Sequence, residues 1–433
     1  MEKIRALLSQ VDSTKIFFTD LNGRTRGLAI NPDNIEKITE SGIGFDGSSI
    51  DGITTVDDSD RLLFPVLDSL RIVDFSDKKL GFFIGRIDKE KGVSSSSDPR
   101  AILVNVIENA EKEFGFRFLM GPEYEFFLLK GDEFNEAKHT DRAGYFYSDP
   151  YDKGDIVRES IVEILHKCGI PFEKDHHEVT PSQHEINFEC TSPVEAADQT
   201  LLFMHVARKV ASSFGYYVTF MPKPFNDHNR SAFHMHLSMQ DMEGNNLFYN
   251  ESDNYGLSIL SKYFIGGILK YARETSIIMA STYNSYKAYT LEREAPIARG
   301  WGVRNRSSMI RVPYASNPSA TRLELRSPDP SGNVYLQMAV FIAMGLQGIR
   351  EKIEPGEPDV GSVYKKINQL QITNIDLLPR SMYEALAEAE KSSFLLNLLG
   401  DRLFNSYLSL KIKEWETFRT SVTTLEHAAY LAI

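Results

Sequence analysis

Gly121-Pro122-Glu123-Tyr124-Glu125-Phe126-Phe127-Leu128-Leu129 alternates two carboxylates with aromatic rings, then runs into aliphatic residues. Aromatic and aliphatic runs of this kind favour a β-strand. A strand sends successive side chains to opposite faces, so Glu123 and Glu125 point the same way. On a buried face, unpaired charges cost free energy and must be compensated. Divalent cations would do this, and so would buried arginines; the stretch by itself leaves both readings open.

The chain has 433 residues, 42% hydrophobic and 25% charged, the proportions of a globular protein with two or three domains. Its net charge of −12 and pI near 5.4 provide no field that would draw in nucleic acid. Anionic substrates must then be handled locally, by metals, arginines or helix N-termini. Two cysteines, Cys168 and Cys190, form no disulfide framework and suit a reducing compartment. No apolar run reaches membrane-spanning length and no leader pattern opens the chain, so the expectation is a cytoplasmic protein without a membrane partner.

The first hundred residues read as a small unit. Lys15 to Asp20 and Arg26 to Ile30 predict a hairpin, and a short helix follows from Asn31 through Glu40. Further strands are predicted at Leu62 to Leu67, Arg71 to Phe75 and Leu80 to Ile87, giving an α+β unit of the ubiquitin-like kind. Gly92 to Pro99, with four consecutive serines, reads as a linker. Gly42-Ile43-Gly44-Phe45-Asp46-Gly47 matches the dinucleotide pattern G-x-G-x-x-G, but a helix precedes it and no helix follows, so that reading is rejected.

Beyond the linker, helices are predicted at Ala101 to Phe114, Asp155 to His166, Ala196 to Phe214 and Gly256 to Ala280, and from Val334 onward. His176-His177-Glu178 and Gln183-His184-Glu185 crowd imidazoles and carboxylates together without zinc spacing; the bland reading is a histidine-rich surface turn. His234 and His236 share a strand face by the same period of two, as do Arg322, Glu324 and Arg326. Arg304, Arg306 and Arg311 surround another strand, Ser308 to Val312. Carboxylates with one or two imidazoles select Mg²⁺ or Mn²⁺, and arginines beside such ions suit phosphoryl transfer. No Gly-Lys dipeptide occurs, which excludes a Walker A loop.

These blocks, with Phe45-Asp46-Gly47-Ser48-Ser49-Ile50, Phe220-Met221-Pro222-Lys223-Pro224, Asn284-Ser285-Tyr286-Lys287, Arg304-Asn305-Arg306-Ser307 and Arg322-Leu323-Glu324-Leu325-Arg326, resemble the type I glutamine synthetase family along almost the whole chain. The resemblance implies an α+β fold: an N-terminal β-grasp domain at 1–98, then a catalytic domain at 99–433 with a curved, mainly antiparallel sheet backed by helices. It implies an ATP-dependent ligase that phosphorylates a carboxylate, by default that of L-glutamate, and aminates the acyl phosphate with ammonia. Glu125, Glu178 and Glu185 would hold one Mg²⁺ or Mn²⁺, and Glu123, His234 and Glu324 a second. His236, Ser238, Arg311 and Arg322 would contact the nucleotide. Arg306 and Arg326 would stabilise the transferring phosphoryl group, and Asp46, Ser49, Tyr145, Glu178 and Glu294 would bind ammonium and take its proton. Because the Asp46 loop serves a neighbouring subunit in the family, a homo-oligomer is implied, typically a dodecamer.

The acid end departs from the family pattern. Arg230 follows Asn229 where a glycine is usual before the His234 strand, and Ala288 stands where an arginine normally meets the glutamate α-carboxylate. Either Arg230 or Arg293 restores the missing guanidinium, or the acid is a different carboxylate, or both arginines are merely solvated. A γ-glutamyl-amine ligase would instead alter the ammonium residues. A catalytically silent homologue would have lost metal ligands, and none is missing.

Overall fold

The computed structural model describes residues 1–131, 138–289, 295–369 and 376–433, with the side chains of 368 and 369 excepted. The first sheet contains β1 (Ser13–Thr19), β2 (Thr25–Ile30), β3 (Ile43–Asp46), β4 (Asp60–Asp74), β5 (Lys79–Glu90) and β6 (Val93–Ser94). Its order is β2-β1-β5-β4-β3, with β6 added to β5 and only the β1–β5 pair parallel. Alternation in β1 explains its placement. Ile16 and Phe18 face a local core with Ile35 and Ile38 of the Ile35–Ser41 helix. Phe17 faces the other way, stacking on Phe82 at 4.3 Å and meeting His205 of the next unit at 5.0 Å.

Two expectations change here. The segments at Leu62 and Arg71 form one long strand, β4, whose register against β5 shifts between Val66 and Arg71. The serine-rich segment is no free linker: β6 pairs with β5, Ser95 N donates to the Ile87 carbonyl at 2.9 Å, and Ser97 and Asp98 are buried. Asp98 accepts from Arg100 N at 3.0 Å as N-cap of the Pro99–Phe114 helix and from Ile87 N at 3.1 Å, so it ties the two units together.

The second sheet contains β7 (Arg117–Lys130), β8 (Phe172–His177), β9 (Gln183–Phe188), β10 (Tyr216–Thr219), β11 (Phe233–Gln240), β12 (Trp301–Val303), β13 (Ile310–Val312) and β14 (Leu323–Leu325). Its order is β12-β13-β14-β11-β7-β9-β8, β10 also pairs with β7, and only β12–β13 is parallel. The fold is α+β, as expected. On the back face, Tyr124 stacks on Phe233 at 4.5 Å and its hydroxyl meets Thr200 Oγ1 at 2.7 Å, under the Pro193–Ser213 helix. Helices Ile259–Met279 and Val334–Glu351 pack behind these. They approach so closely that a Cβ on Gly267 would lie 2.7 Å from Gly348 Cα, which only glycine avoids.

Candidate active site

β7 runs through the middle of the second sheet, so the residues opposite its two glutamates are fixed by register. His234 pairs with Glu123 across β11, and Glu185 pairs with Glu125 across β9. Glu324 of β14 lies opposite His236 on one side and Arg311 on the other. The period-of-two reading of Glu123 and Glu125 therefore holds, and four further strands deliver their charged residues to the same face.

Two cavities open onto this face. One, of about 600 Å³, is lined by Glu125, Glu178, Glu185, His234, Arg230 and Arg326, with Tyr145, Asn229 and Arg306 also on its wall. The other, of about 270 Å³, is lined by Glu123, His236, Ser238 and Arg322. Ligand atoms of Glu123, Glu185 and His234 lie within 4.8 Å of one another, so carboxylates and an imidazole form the partition between them.

The ligand groupings differ in detail from the expected ones. Glu123, His236 and Glu324 cluster, as do His176, Glu178 and Glu185. His236 Nε2 lies 2.9 Å from Glu123 Oε1, and His176 Nε2 lies 3.1 Å from Glu178 Oε1. Glu125 instead turns its Oε2 toward Ala232 N at 2.9 Å and Gln183 Nε2 at 3.0 Å. Arg311 does not line the smaller cavity; it donates to Glu324 Oε2 at 2.5 Å, while Arg326 donates to Glu324 Oε1 at 2.5 Å. Imidazoles and guanidiniums thus occupy carboxylate oxygens on the side rich in cations.

Glu125 and Glu185 lack that compensation. Burial, then the charge of Glu178, pushes the Glu125 carboxyl up to about 8. Burial and the neighbouring Glu123, Glu125 and Glu178 hold Glu185 well above the usual range. Glu324 is buried too, but Arg326 and the two histidines pull it down to about 2. An oxygen-rich, partly protonated cluster with imidazole at its edge has the chemistry of a hard divalent-cation site, and the residues present fit one.

The His176–His177–His184 segment is buried, not a surface turn. His177 Nδ1 donates to the Glu178 carbonyl at 2.6 Å, and its Nε2 lies 3.1 Å from Asp141 Oδ1. Asp141 also accepts from Ser182 N at 3.0 Å, which holds the β8–β9 turn. The nearby Asp141–Asp152–His177–His184 group is filled by protein cations. Arg158 donates to Asp152 at 2.8 Å, Asp175 at 2.7 Å, Asp155 at 2.7 Å and His184 Nδ1 at 2.9 Å.

Several expected residues stand apart. Asp46 ends β3 at the first sheet's edge and Ser49 lies in the short 3-10 turn after it, both outside the cavity lining, with Asp46 Oδ2 accepting from Ser49 Oγ at 2.7 Å. Ala288 is buried and does not line the cavity. Glu294 and Arg293 lie outside the described residues. Arg230 is not a solvated residue but is 4% exposed. Sequence reasoning missed Gln183, which bridges Glu125 and the Arg230 carbonyl, and Tyr364, which lines the larger cavity.

Residues 96–430 match the family model "Glutamine synthetase, catalytic domain", and residues 10–89 match "Glutamine synthetase, beta-Grasp domain". A glutamine synthetase from Thermotoga maritima is 39% identical, over 100% of this chain and 99% of its own. Among solved structures, GmaS without ligand has a TM-score of 0.89 at 27% identity, and a GmaS/ADP complex 0.89 at 26%, each covering all of both chains.

Proposed function

This chain belongs to the glutamine synthetase family of ADP-forming carbon–nitrogen ligases, and from that premise we propose that it joins ammonia to a small carboxylic acid, by default L-glutamate, at the cost of ATP. The observation that carries this is the partition: the ligand residues of two prospective cation sites separate a cavity suited to nucleotide from one suited to acid. The solved GmaS/ADP complex supports a nucleotide as ligand, and we place it in the smaller cavity, against His236, Ser238 and Arg322.

Glu125, Glu178 and Glu185 would hold one Mg²⁺ or Mn²⁺ and Glu123, His234 and Glu324 another; when bound, such ions neutralise phosphate charge. A carboxylate oxygen of the acid attacks the γ-phosphorus of ATP, the bond to ADP breaks, and an acyl phosphate forms. Arg326, buried beside Glu324, and Arg306 on the cavity wall offset charge on the moving phosphoryl group. Ammonia then attacks the acyl carbon and phosphate leaves. Tyr145 and Glu178, on the same wall, would hold ammonium, and Glu294 with a neighbouring copy's Asp46 and Ser49 would complete that site and take the proton.

The partner copy is part of the proposal because Asp46 and Ser49 lie outside the cavity of their own chain. The C-terminal helix Thr424–Tyr430 is exposed throughout, with Leu425, Leu431 and Ile433 uncovered, which suits a second copy of this chain. No helix of the described residues is long and apolar enough to cross a membrane, and we place the homo-oligomer in the cytoplasm. The test is phosphate release from ATP with Mg²⁺ or Mn²⁺, ammonia and a panel of carboxylic acids, repeated with alkylamines. Amide formation from ammonia is expected. Turnover with alkylamines alone would make the protein a γ-glutamyl-amine ligase, and no turnover with any pair would refute the ligase reading.

A further inference from the structure

The loop between β3 and β4, which carries Ser49 and begins at Asp46, is tied to the second unit by an arginine with no place in the reaction itself. Gly47 N donates to the Ser59 carbonyl at 2.8 Å and closes the loop at its base. Arg61, near the start of β4 and 2% exposed, donates to the Asp58 carbonyl at 2.9 Å, to Asp58 Oδ2 at 2.8 Å and to Thr54 Oγ1 at 2.8 Å. Arg402 approaches from the opposite side, on the Ser393–Arg419 helix just past its break at Gly400. It grips the same two residues. Nη1 and Nη2 each donate to Asp58 Oδ2 at 3.0 Å, and Nη2 also donates to Thr54 Oγ1 at 2.5 Å. The guanidiniums, Arg61 foremost, hold the Asp58 carboxyl well below the usual carboxylate range. Thr54 passes the grip on. A Cβ added to Gly47 would lie 2.9 Å from Thr54 Cγ2 and 3.0 Å from Arg61 Cγ, so these side chains bear on the backbone next to Asp46.

The side chains of Arg402 and Asp58 are 35% and 37% exposed, and ion pairs so placed contribute little to stability. What the contact fixes is geometry. We infer that Arg402 is a positioning residue for the ammonium site, acting across the subunit boundary: it sets the loop that presents Asp46 and Ser49 to the neighbouring copy. This rests on the ligase reading above and on its shared site. The hydroxyls of Ser48 and Ser49 hold the Asp46 carboxyl low, so it is ionised and suited to a cation wherever the loop places it. Leu410 of the same helix supports the arrangement from a second point, since a Cβ on Gly52 would lie 3.0 Å from its Cδ1. Arg61 folds the loop upon itself, and Arg402 sets the folded loop against the second unit.

The experiment measures KM for ammonia, ATP and acid in wild type, Arg402→Met and Arg402→Lys, each as the assembled oligomer checked by light scattering. Arg402→Met should raise the KM for ammonia about tenfold to a hundredfold, as misplacing a group at a site does, with the other two unchanged. Arg402→Lys keeps a charge but cannot fork between Thr54 and Asp58, so it should fall between them. If Arg402→Met does not assemble, Arg402→Lys decides by the same ratio of KM values. An unchanged KM for ammonia, or equal rises in all three, would overturn the inference and leave Arg402 a general brace. Mixing subunits adds a readout that a brace would not give. Arg402→Met reassembled with Arg326→Met should show a component with the wild-type KM for ammonia, because some sites then combine an intact loop with an intact Arg326. Absence of that component, where the Asp46→Asn mixture with Arg326→Met does regain activity, overturns the inference alone; failure of both mixtures refutes the shared site on which it rests. Hydrogen exchange over residues 47–59 reads the clip without turnover. Faster exchange there in Arg402→Met is expected, and unchanged exchange sinks the inference whether or not any acid is aminated.

Discussion

His177 donates from Nδ1 to the backbone carbonyl of Glu178 at 2.6 Å while its other nitrogen faces Asp141 at 3.1 Å. A carbonyl only accepts and an ionised carboxylate only accepts, so the ring holds both protons. Burial pulls the imidazole down, but Asp141 and the Glu178 carbonyl outweigh it, and the net shift is upward. Glu178, which we propose as a cation ligand, is therefore aimed by a cationic brace behind it.

Replacing that brace should loosen the ligand without removing it. His177→Gln is expected to weaken Mn²⁺ binding by about tenfold to a hundredfold, the usual range for a residue supporting a metal ligand. The wild-type brace, with its raised value, stabilises the fold fully below the unfolded histidine value of about 6.5 and loses its effect as pH rises through the folded value. Denaturation at several pH values should show that slope in wild type and its absence in the variant. Unchanged Mn²⁺ affinity would show that the turn holds Glu178 unaided.

Metal binding should release protons. Glu125, pushed up to about 8, is largely protonated near neutral pH in the metal-free protein, and burial with the neighbouring carboxylates raises Glu185 as well. Cations bind the ionised form, so affinity should rise with pH, about tenfold per unit for each proton released, and level off above about pH 8. Glu125 alone stabilises the metal-free fold fully below its unfolded value near 4.5, and that contribution is lost as pH rises through about 8. Calorimetry in buffers of different ionisation enthalpy counts the protons, and a proton count of zero at pH 7 would contradict the charge picture. Glu123→Gln, which removes a ligand shared by two of the clusters, should abolish turnover without unfolding the protein.

The central strand was readable because one period-of-two rule acts on Glu123, Glu125, His234 and His236 alike. Register supplied what the sequence could not: nothing local says that Glu185 lies opposite Glu125, or that Arg311 and His236 both flank Glu324. The serine run misled because small polar residues suit a linker and equally a short edge strand whose backbone bonds carry it, as at Val93–Ser94. Arg230 misled for a related reason. Its partners are backbone carbonyls of Arg326 and Ser327, nearly a hundred residues away in sequence, and a carbonyl leaves no trace in residue identity.

Asp46 is expected to act across a subunit boundary. Asp46→Asn and Arg326→Met oligomers should each be nearly inactive, yet mixing dissociated subunits and reassembling them should restore part of the activity, because some sites then contain both intact residues. Deleting residues 421–433 should shift the assembly to smaller species by light scattering, since Leu425, Leu431 and Ile433 have no cover in their own chain. Full activity of the monomeric species would refute both expectations.

The last expectation concerns stability, and it follows from how Arg158 is surrounded. The guanidinium and Asp152 are both buried, and Asp175 and Asp155 close the other two directions of the fork. His184 accepts from the same guanidinium, which fixes its neutral tautomer, and burial with Arg158 holds its value well below normal. Arg158→Met removes the guanidinium paired with Asp152 and strands a charge in the core, a change that costs roughly 3–5 kcal/mol. The double variant Arg158→Met with Asp152→Asn should recover part of that loss, because a neutral amide is cheaper to bury than an unpaired carboxylate. The free energies must be compared at one protein concentration, since assembly itself stabilises the fold. A single variant within about 1 kcal/mol of wild type would mean that the aspartates find solvent or protons more easily than their burial allows.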